Sequence, residues 1–335
     1  MQLTDALVGS RVNVRRRVRG ETGPTGGPAM SDVIGRVVSV GETTAAVERR
    51  NGELVEVRLA DIVTVKPVPD GPRRVRTRPA LDFSPEEVAR ICTRGWPPLE
   101  TEPLGDWVLR AAAGFTSRAN SVAVHGDPGV PFAEASARIH DFYSDRGLEP
   151  TAQVIVDSVW EKRFADAGWR GVGDAHDYSV LQVVDLRDAI TYAREPGDDV
   201  GIAGTVDDDW LALYNRAATA YPDAARAVLE GPPTVGFVRI GEPLAAIGRI
   251  AVTGEWAGMS CVEVADSHRR QGLGRRVVDA SLHWARHRGA DKAYLQATRT
   301  NAPALALYSR YGFADHYTYR YLRPPAKSSE HVTSR

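Results

Sequence analysis

At 335 residues the chain is long for one hydrophobic core, and its 43% hydrophobic and 25% charged residues fit two or three soluble globular domains. No apolar run approaches the roughly 20 residues of a membrane helix, and Met1–Asp5 lacks the start of a secretory signal. Two cysteines, Cys92 and Cys261, exclude a disulfide framework, and no Cys/His spacing reads as a zinc site, so a cytoplasmic enzyme without a bound metal is expected. The net charge of −1 hides an asymmetry: residues 1–80 carry fourteen basic side chains against nine acids. That excess reads as a solvated surface or as a face for nucleic acid or an acidic protein.

Residues 1–70 read as strands only. Ser10–Val18 sets Val12, Val14 and Val18 at even spacing, which lines one face of a strand. Val33–Val40, Thr44–Arg49, Leu54–Leu59 and Ile62–Val65 follow, with turns at Gly41 and at Asn51-Gly52 and a loop at Gly20–Pro28. These strands predict a small all-β barrel, SH3-like or Tudor-like, followed by a linker over 71–80.

Residues 81–194 mix helix and strand. Ser84-Pro85-Glu86-Glu87 is a helix start: a serine cap, proline at the first position, a glutamate three residues on. Strands are predicted at Trp107–Ala112, Ser121–Val124, Ala152–Val156 and Tyr178–Val184, and helices at Phe132–Arg146 and Asp157–Ala167. Residues 195–325 repeat this grammar. A helix runs from the cap Asp207 through Ala220, and strands occupy Val235–Ile240, Leu244–Val252 and Met259–Val264. A helix through Arg288, a strand at Lys292–Ala297, a helix at Pro303–Tyr311 and a strand at His316–Leu322 complete it. The tail Arg323–Arg335, rich in Pro and Ser, is predicted to be disordered, with 326–335 lying beyond the last domain.

Two segments share one pattern: helix, Arg-Gly, strand, helix, Gly-aromatic, strand. In the first, Arg146-Gly147 and Gly168-Trp169 mark the stops; in the second, Arg288-Gly289 and Gly312-Phe313 do. This predicts a duplicated α/β unit. The copies differ before their central helix. The second has Arg269-Arg270-Gln271-Gly272-Leu273-Gly274, whereas the first has His125-Gly126-Asp127-Pro128-Gly129-Val130-Pro131, where two prolines remove backbone donors.

Arg269–Gly274 falls at a strand-to-helix junction. Free N–H groups and a positive dipole at a helix start attract an anion, and Gly272 and Gly274 let backbone approach it. Arg269, Arg270, Arg275 and Arg276 add positive charge, which points to a diphosphate. The spacing is neither that of a P-loop nor that of a dinucleotide fold.

The segment resembles the pyrophosphate motif of the GNAT superfamily, Arg/Gln-x-x-Gly-x-Gly/Ala. The surrounding order is similar too, with Asn301, Ala304–Tyr308 and Tyr311-Gly312-Phe313 following, and the match is clear over about 235–325. Gly105–Arg110 and Arg118-Ala119-Asn120-Ser121 approach the pattern of an actinobacterial group in which an SH3-like barrel precedes a degenerate and an intact GNAT unit. The resemblance implies an α/β (α+β) GNAT fold: barrel 1–70, degenerate unit 81–194 and catalytic unit 195–325. It implies an acyltransferase that uses acetyl-CoA to acetylate a primary amine directly, through a tetrahedral intermediate.

It also implies roles. Val262 and Val264 would pair with the pantetheine arm, and Arg269, Arg270, Gln271, Gly272, Leu273, Gly274 and Arg275 would hold the pyrophosphate. Asn301 would contact the arm, and Tyr308 would be the general acid. The position that some members give to a glutamate falls near Gly258, which cannot serve as the base. Glu255 and Glu263 are the remaining candidates. His268 reads as a helix-entry residue. The acceptor is a small amine or a protein lysine. The competing reading is an acetyl-CoA-sensing protein whose basic barrel engages protein or nucleic acid.

Overall fold

Alternating valines build the first unit from its first strand onward. In β1 (Arg11–Thr22) Val12 and Val14 turn inward, and Val33, Val37, Val47, Val57 and Val65 meet them from β2 (Pro28–Val40), β3 (Thr44–Glu48), β4 (Leu54–Arg58) and β5 (Ile62–Pro67). The strands are antiparallel in the order β4-β3-β2-β1-β5. Strands β1 and β2 run further into the expected loop than the sequence suggested, and Thr22 pairs with Pro28.

The computed structural model describes residues 3–4, 7–23, 26–49, 53–68, 78–173, 178–214 and 221–325. The Asn51-Gly52 turn, most of the linker and the tail therefore lie outside the described residues. The chain divides into two compact units, Met1–Thr77 and Arg78–Arg335. No described helix is long and apolar enough to cross a membrane.

The second unit opens with α1 (Pro85–Gly95), where Ser84 and Glu87 form the reciprocal cap: Glu87 N donates to Ser84 Oγ, and Ser84 N donates to Glu87 Oε2 at 2.6 Å. There follow β6 (Glu100–Leu104), β7 (Trp107–Ala111), β8 (Val122–Ala123), α2 (Phe132–Ser144), β9 (Ala152–Ile155), α3 (Val159–Asp166), β10 (Arg170–Gly171), β11 (Tyr178–Asp185) and α4 (Leu186–Ile190). The later half comprises β12 (Val200–Ala203), α5 (Asp208–Leu213), α6 (Pro222–Glu230), β13 (Val235–Ile240), β14 (Ala246–Thr253), β15 (Trp256–Val264), α7 (Leu273–His287), β16 (Lys292–Thr298), α8 (Ala302–Ser309) and β17 (Ala314–Arg323). The helix capped by Asp207 runs over Asp208–Leu213, and 215–220 of the expected span to Ala220 lie outside the described residues. Strands β6, β10 and β12 and helices α4 and α6 carry no pattern that predicts them.

One sheet carries both copies, in the order β12-β13-β14-β15-β16-β11-β17-β9-β8-β7-β6. The order is symmetric about the β11–β17 pair: β13 to β16 on one side answer β6 to β9 on the other. The last strand of each copy has crossed over. Strand β11 of the first copy pairs with β16 of the second, and β17 of the second pairs with β9 of the first. Gly147, Gly168, Gly289 and Gly312, the stops of the repeat, all lie at positive φ, where only glycine ends a helix without strain.

The duplication reaches into the core. Arg110 on β7, 1% exposed, donates through Nη2 to Ser121 Oγ at 2.9 Å and to Gln153 Oε1 at 2.7 Å. Arg249 on β14, equally buried, stands 3.4 Å from Ser260 Oγ, again eleven residues ahead, and donates to the Leu229 and Gly95 carbonyls. Burial pulls Arg249 down to about 10, which leaves it charged at neutral pH.

His125 sits at the end of the first copy's motif strand, 4% exposed, with neither ring nitrogen hydrogen-bonded among the described residues. Burial, followed by the charges of Arg110 and Arg90, pulls it down to about 3 from its ordinary 6.5. Its folded form therefore takes up a proton later than the unfolded chain, so stability is full above pH 6.5 and falls as pH drops toward 3. Urea melts of wild type at pH 5 should show about 2 kcal/mol less stability than at pH 7.5 from this group, a loss that His125→Gln removes.

Candidate active site

The polypeptide leaves β15 at Val264, passes a short 3₁₀ turn at Asp266–His268 and enters α7. Arg270 (φ +65°) and Gly272 (φ +82°) are left-handed, and Gly272 caps the helix. The first intrahelical bonds run from Arg275 N and Arg276 N back to the Gly272 carbonyl, at 3.1 and 3.2 Å. The amides ahead of them belong to the helix end, where an anion is favoured. A Cβ at Gly272 would meet nothing within 4 Å, and one at Gly274 would touch Leu307 and Val264 only at ordinary distance. Tight packing within the protein therefore does not account for these glycines. They leave open space at the helix start, as a diphosphate cradle requires.

The arginines are partly engaged. Arg269 holds Asp266 at 2.7 Å, Arg276 holds Asp199, and Arg275 Nε lies 3.9 Å from Asp279. Tyr311, buried, sits with its hydroxyl 2.6 Å from Asp279 Oδ1 and 3.2 Å from the Arg275 carbonyl, and so buttresses the turn. Gln271 donates to the Ser267 carbonyl and His268 stands against the Ser267 hydroxyl, both local turn contacts. In the first copy the corresponding turn is acidic and self-satisfied: Asp127 N donates to Asp106 Oδ2 and Gly129 N to Asp127 Oδ1. It offers an anion no cradle.

Strands β15 and β16 run parallel but pair only from Trp256–Lys292 to Met259–Leu295. Both continue: β15 to Val264, still paired with β14, and β16 to Thr298, still paired with β11. Beyond Met259 they splay, helped by a bulge in β15, where the three steps from Ser260 to Glu263 face only two from Ile247 to Arg249 and Cys261 lies at φ +54°. A cavity of about 520 Å³ fills the gap. It takes in Val262, Glu263, Asn301 and Tyr308, which the sequence singled out. Val264 lies at the strand end beside the turn. Asn301 accepts from Ala304 N at 3.2 Å and so caps α8.

Tyr308 is 8% exposed and stacks edge-on against Phe313. Burial, then the neighbouring Glu263 and Cys261, raises its phenol above the usual tyrosine range, so it keeps its proton at neutral pH. Glu255 lies at the other end of β15, away from these residues. Its carboxylate binds the fully buried Lys292 ammonium at 2.8 Å, and its carbonyl accepts from Asp291 N and Lys292 N. The sequence reading missed the wall that comes from elsewhere: Trp96, Gly114–Arg118 and Tyr214 precede the motif, and Tyr319 and Tyr321 lie on β17. The signal was present in Arg118-Ala119-Asn120-Ser121, but not its destination.

The model for "Probable histone acetyltransferase Rv0428c C-terminal" matches residues 86–322, and that for "Rv0428c N-terminal Sm-like domain" matches residues 6–66. This chain belongs to the Rv0428c-like family of GNAT acetyltransferases. It is 31% identical over 329 residues to the probable histone acetyltransferase Rv0428c of Mycobacterium tuberculosis, with 96% of each chain covered. It is 26% identical to the uncharacterized N-acetyltransferase YobR of Bacillus subtilis, over 68% of this chain and 94% of that one. A GCN5-related N-acetyltransferase from Kribbella flavida shares the fold, with TM-score 0.54, 19% identity, and coverage of 72% of this chain and 95% of that one. As a member of this family the chain is an N-acetyltransferase, with a barrel-like N-terminal unit of the Sm-like kind.

Proposed function

We propose that the enzyme uses acetyl-CoA to acetylate a primary amine directly, with Tyr308 as general acid and Glu263 as general base. The observation that carries this reading is the splay of β15 from β16, with Tyr308 and Glu263 in the gap and a helix start free for an anion at its end. Acetyl-CoA, when bound, supplies an acetyl group activated as a thioester. The amides from Arg270 to Gly274 hold its pyrophosphate, and the β15 edge at Val262 and Val264, with Asn301, takes the arm. Glu263 accepts the proton of the acceptor's ammonium within the cavity. Tyr308, protonated because burial disfavours its phenolate, delivers a proton from its hydroxyl to the leaving group. Glu255 is read as the partner of Lys292, outside the chemistry. The acceptor is a small molecule or a protein lysine. Thiol release from acetyl-CoA, followed across a panel of amines, amino acids and basic proteins, should rise above hydrolysis with at least one of them. Release that no acceptor stimulates would sink the proposal.

A further inference from the structure

The motif Arg118-Ala119-Asn120-Ser121 belongs to the first copy, yet its loop reaches the cavity of the second. Asn120 is 8% exposed and uses its whole amide on that loop. Oδ1 accepts from Ala112 N at 2.8 Å and Gly114 N at 3.0 Å, while Nδ2 donates to the Phe115 and Thr116 carbonyls at 2.8 and 2.9 Å. These bonds hold a backbone that is otherwise unfavourable, with Ala113 at φ +48° and Thr116 at φ +60°. Trp96 Nε1 donates to the Thr116 hydroxyl at 3.2 Å and anchors the loop from α1.

The loop delivers one permanent positive charge. The Arg118 guanidinium lies 4.9 Å above the Trp96 ring, and its Nε is buried without a hydrogen-bond partner among the described residues. No described carboxylate lies within ion-pair distance of it. The Nε–H is thus under-satisfied, and the two Nη groups at the outer end of a guanidinium match the two oxygens of a carboxylate. The same cavity holds Glu263, suited to an ammonium, and the rings of Tyr214, Tyr221 and Tyr319.

We propose that the acceptor is a small amine that also carries a carboxylate, of the amino-acid type, and that Arg118 selects it by binding that carboxylate. The proposal rests on the acetyl-transfer reading and names the substrate class. A lysine in a basic protein tail would instead bring further cations to Arg118. The first copy also gains a role: lacking a cofactor cradle of its own, it builds the acceptor wall of its neighbour.

The test uses the full chain. Thiol release is measured with L-amino acids and with the amines that lack only their carboxylate, and N-acetyl-L-amino acids, which cannot be acetylated again at that nitrogen, are titrated by calorimetry. Wild type should prefer the carboxylated member of a pair by about tenfold or more in kcat/KM, mostly through KM. Arg118→Gln should erase the preference through a loss on the carboxylated member that far exceeds any loss on the carboxylate-free amine, with the affinity for acetyl-CoA unchanged, while Arg118→Lys should restore part of it. Equal use of both members by wild type would overturn the proposal. So would an equal loss on both members in Arg118→Gln, or faster turnover of a histone-tail peptide than of any amino acid. If no amine releases thiol, the transfer reading fails, and calorimetry still decides: N-acetyl-amino-acid binding that Arg118→Gln abolishes upholds the carboxylate site, and no binding to wild type overturns it.

Discussion

Tyr308→Phe should lower kcat by about 10²- to 10⁴-fold while leaving the affinity for acetyl-CoA within about a factor of two. The substitution removes one oxygen and keeps the ring against Phe313, so the fold and the cavity wall persist. Stopped thiol-release assays and calorimetry with acetyl-CoA separate the two quantities. The pH profile adds a second reading. Because burial, then Glu263 and Cys261, raises the phenol, wild type should keep its rate past the ordinary tyrosine value of 10, as the acid is lost only when pH climbs above the raised value. A variant that retained full turnover would leave proton delivery to water. A biological output that survives Tyr308→Phe would favour the cofactor-sensing alternative.

Within the second unit, neither 78–194 nor 195–335 should fold when expressed alone, and co-expression of the two should restore a soluble pair. The reason is the crossover. A fragment ending at 194 leaves β11 without β16 and β17, and one starting at 195 leaves β17 without β11 and β9. Strand β11 alone buries Val180, Leu181, Val183 and Val184. Four such side chains contribute about 6–12 kcal/mol, comparable with the roughly 5–15 kcal/mol that stabilises a whole domain. Size-exclusion chromatography and thermal melts check this. Cooperative melting of 195–335 alone, with the acetyl-CoA affinity of the full chain, would show the crossover to be dispensable.

The anion turn was legible because its physics is local: glycines, arginines and a helix start lie within a few residues. The copies were legible because glycine stops recur at matching spacing. Strand β6, Glu-Thr-Glu-Pro-Leu, was not, because an edge strand with four exposed residues has no apolar alternation to read. Helices α4 and α6 are short and lack side-chain caps. Glu255 looked like a base because charge near the motif strand was all the sequence offered; its link to Lys292 depends on which end of β15 faces the cavity. Arg118 lies about 140 residues before Cys261, and no local pattern tells that a loop of one copy closes the cavity of the other.

The crossover also sets a timetable for synthesis. Ile155 pairs with Tyr319, so β9 waits for a neighbour that the ribosome makes almost last. At about 5–20 residues per second, that interval is on the order of ten seconds or more. Throughout it the nascent first copy carries an open strand edge, the feature that invites pairing with other chains. The final strand thus acts as a latch: until Ala314–Arg323 emerges, neither copy can close its sheet, and both finish together.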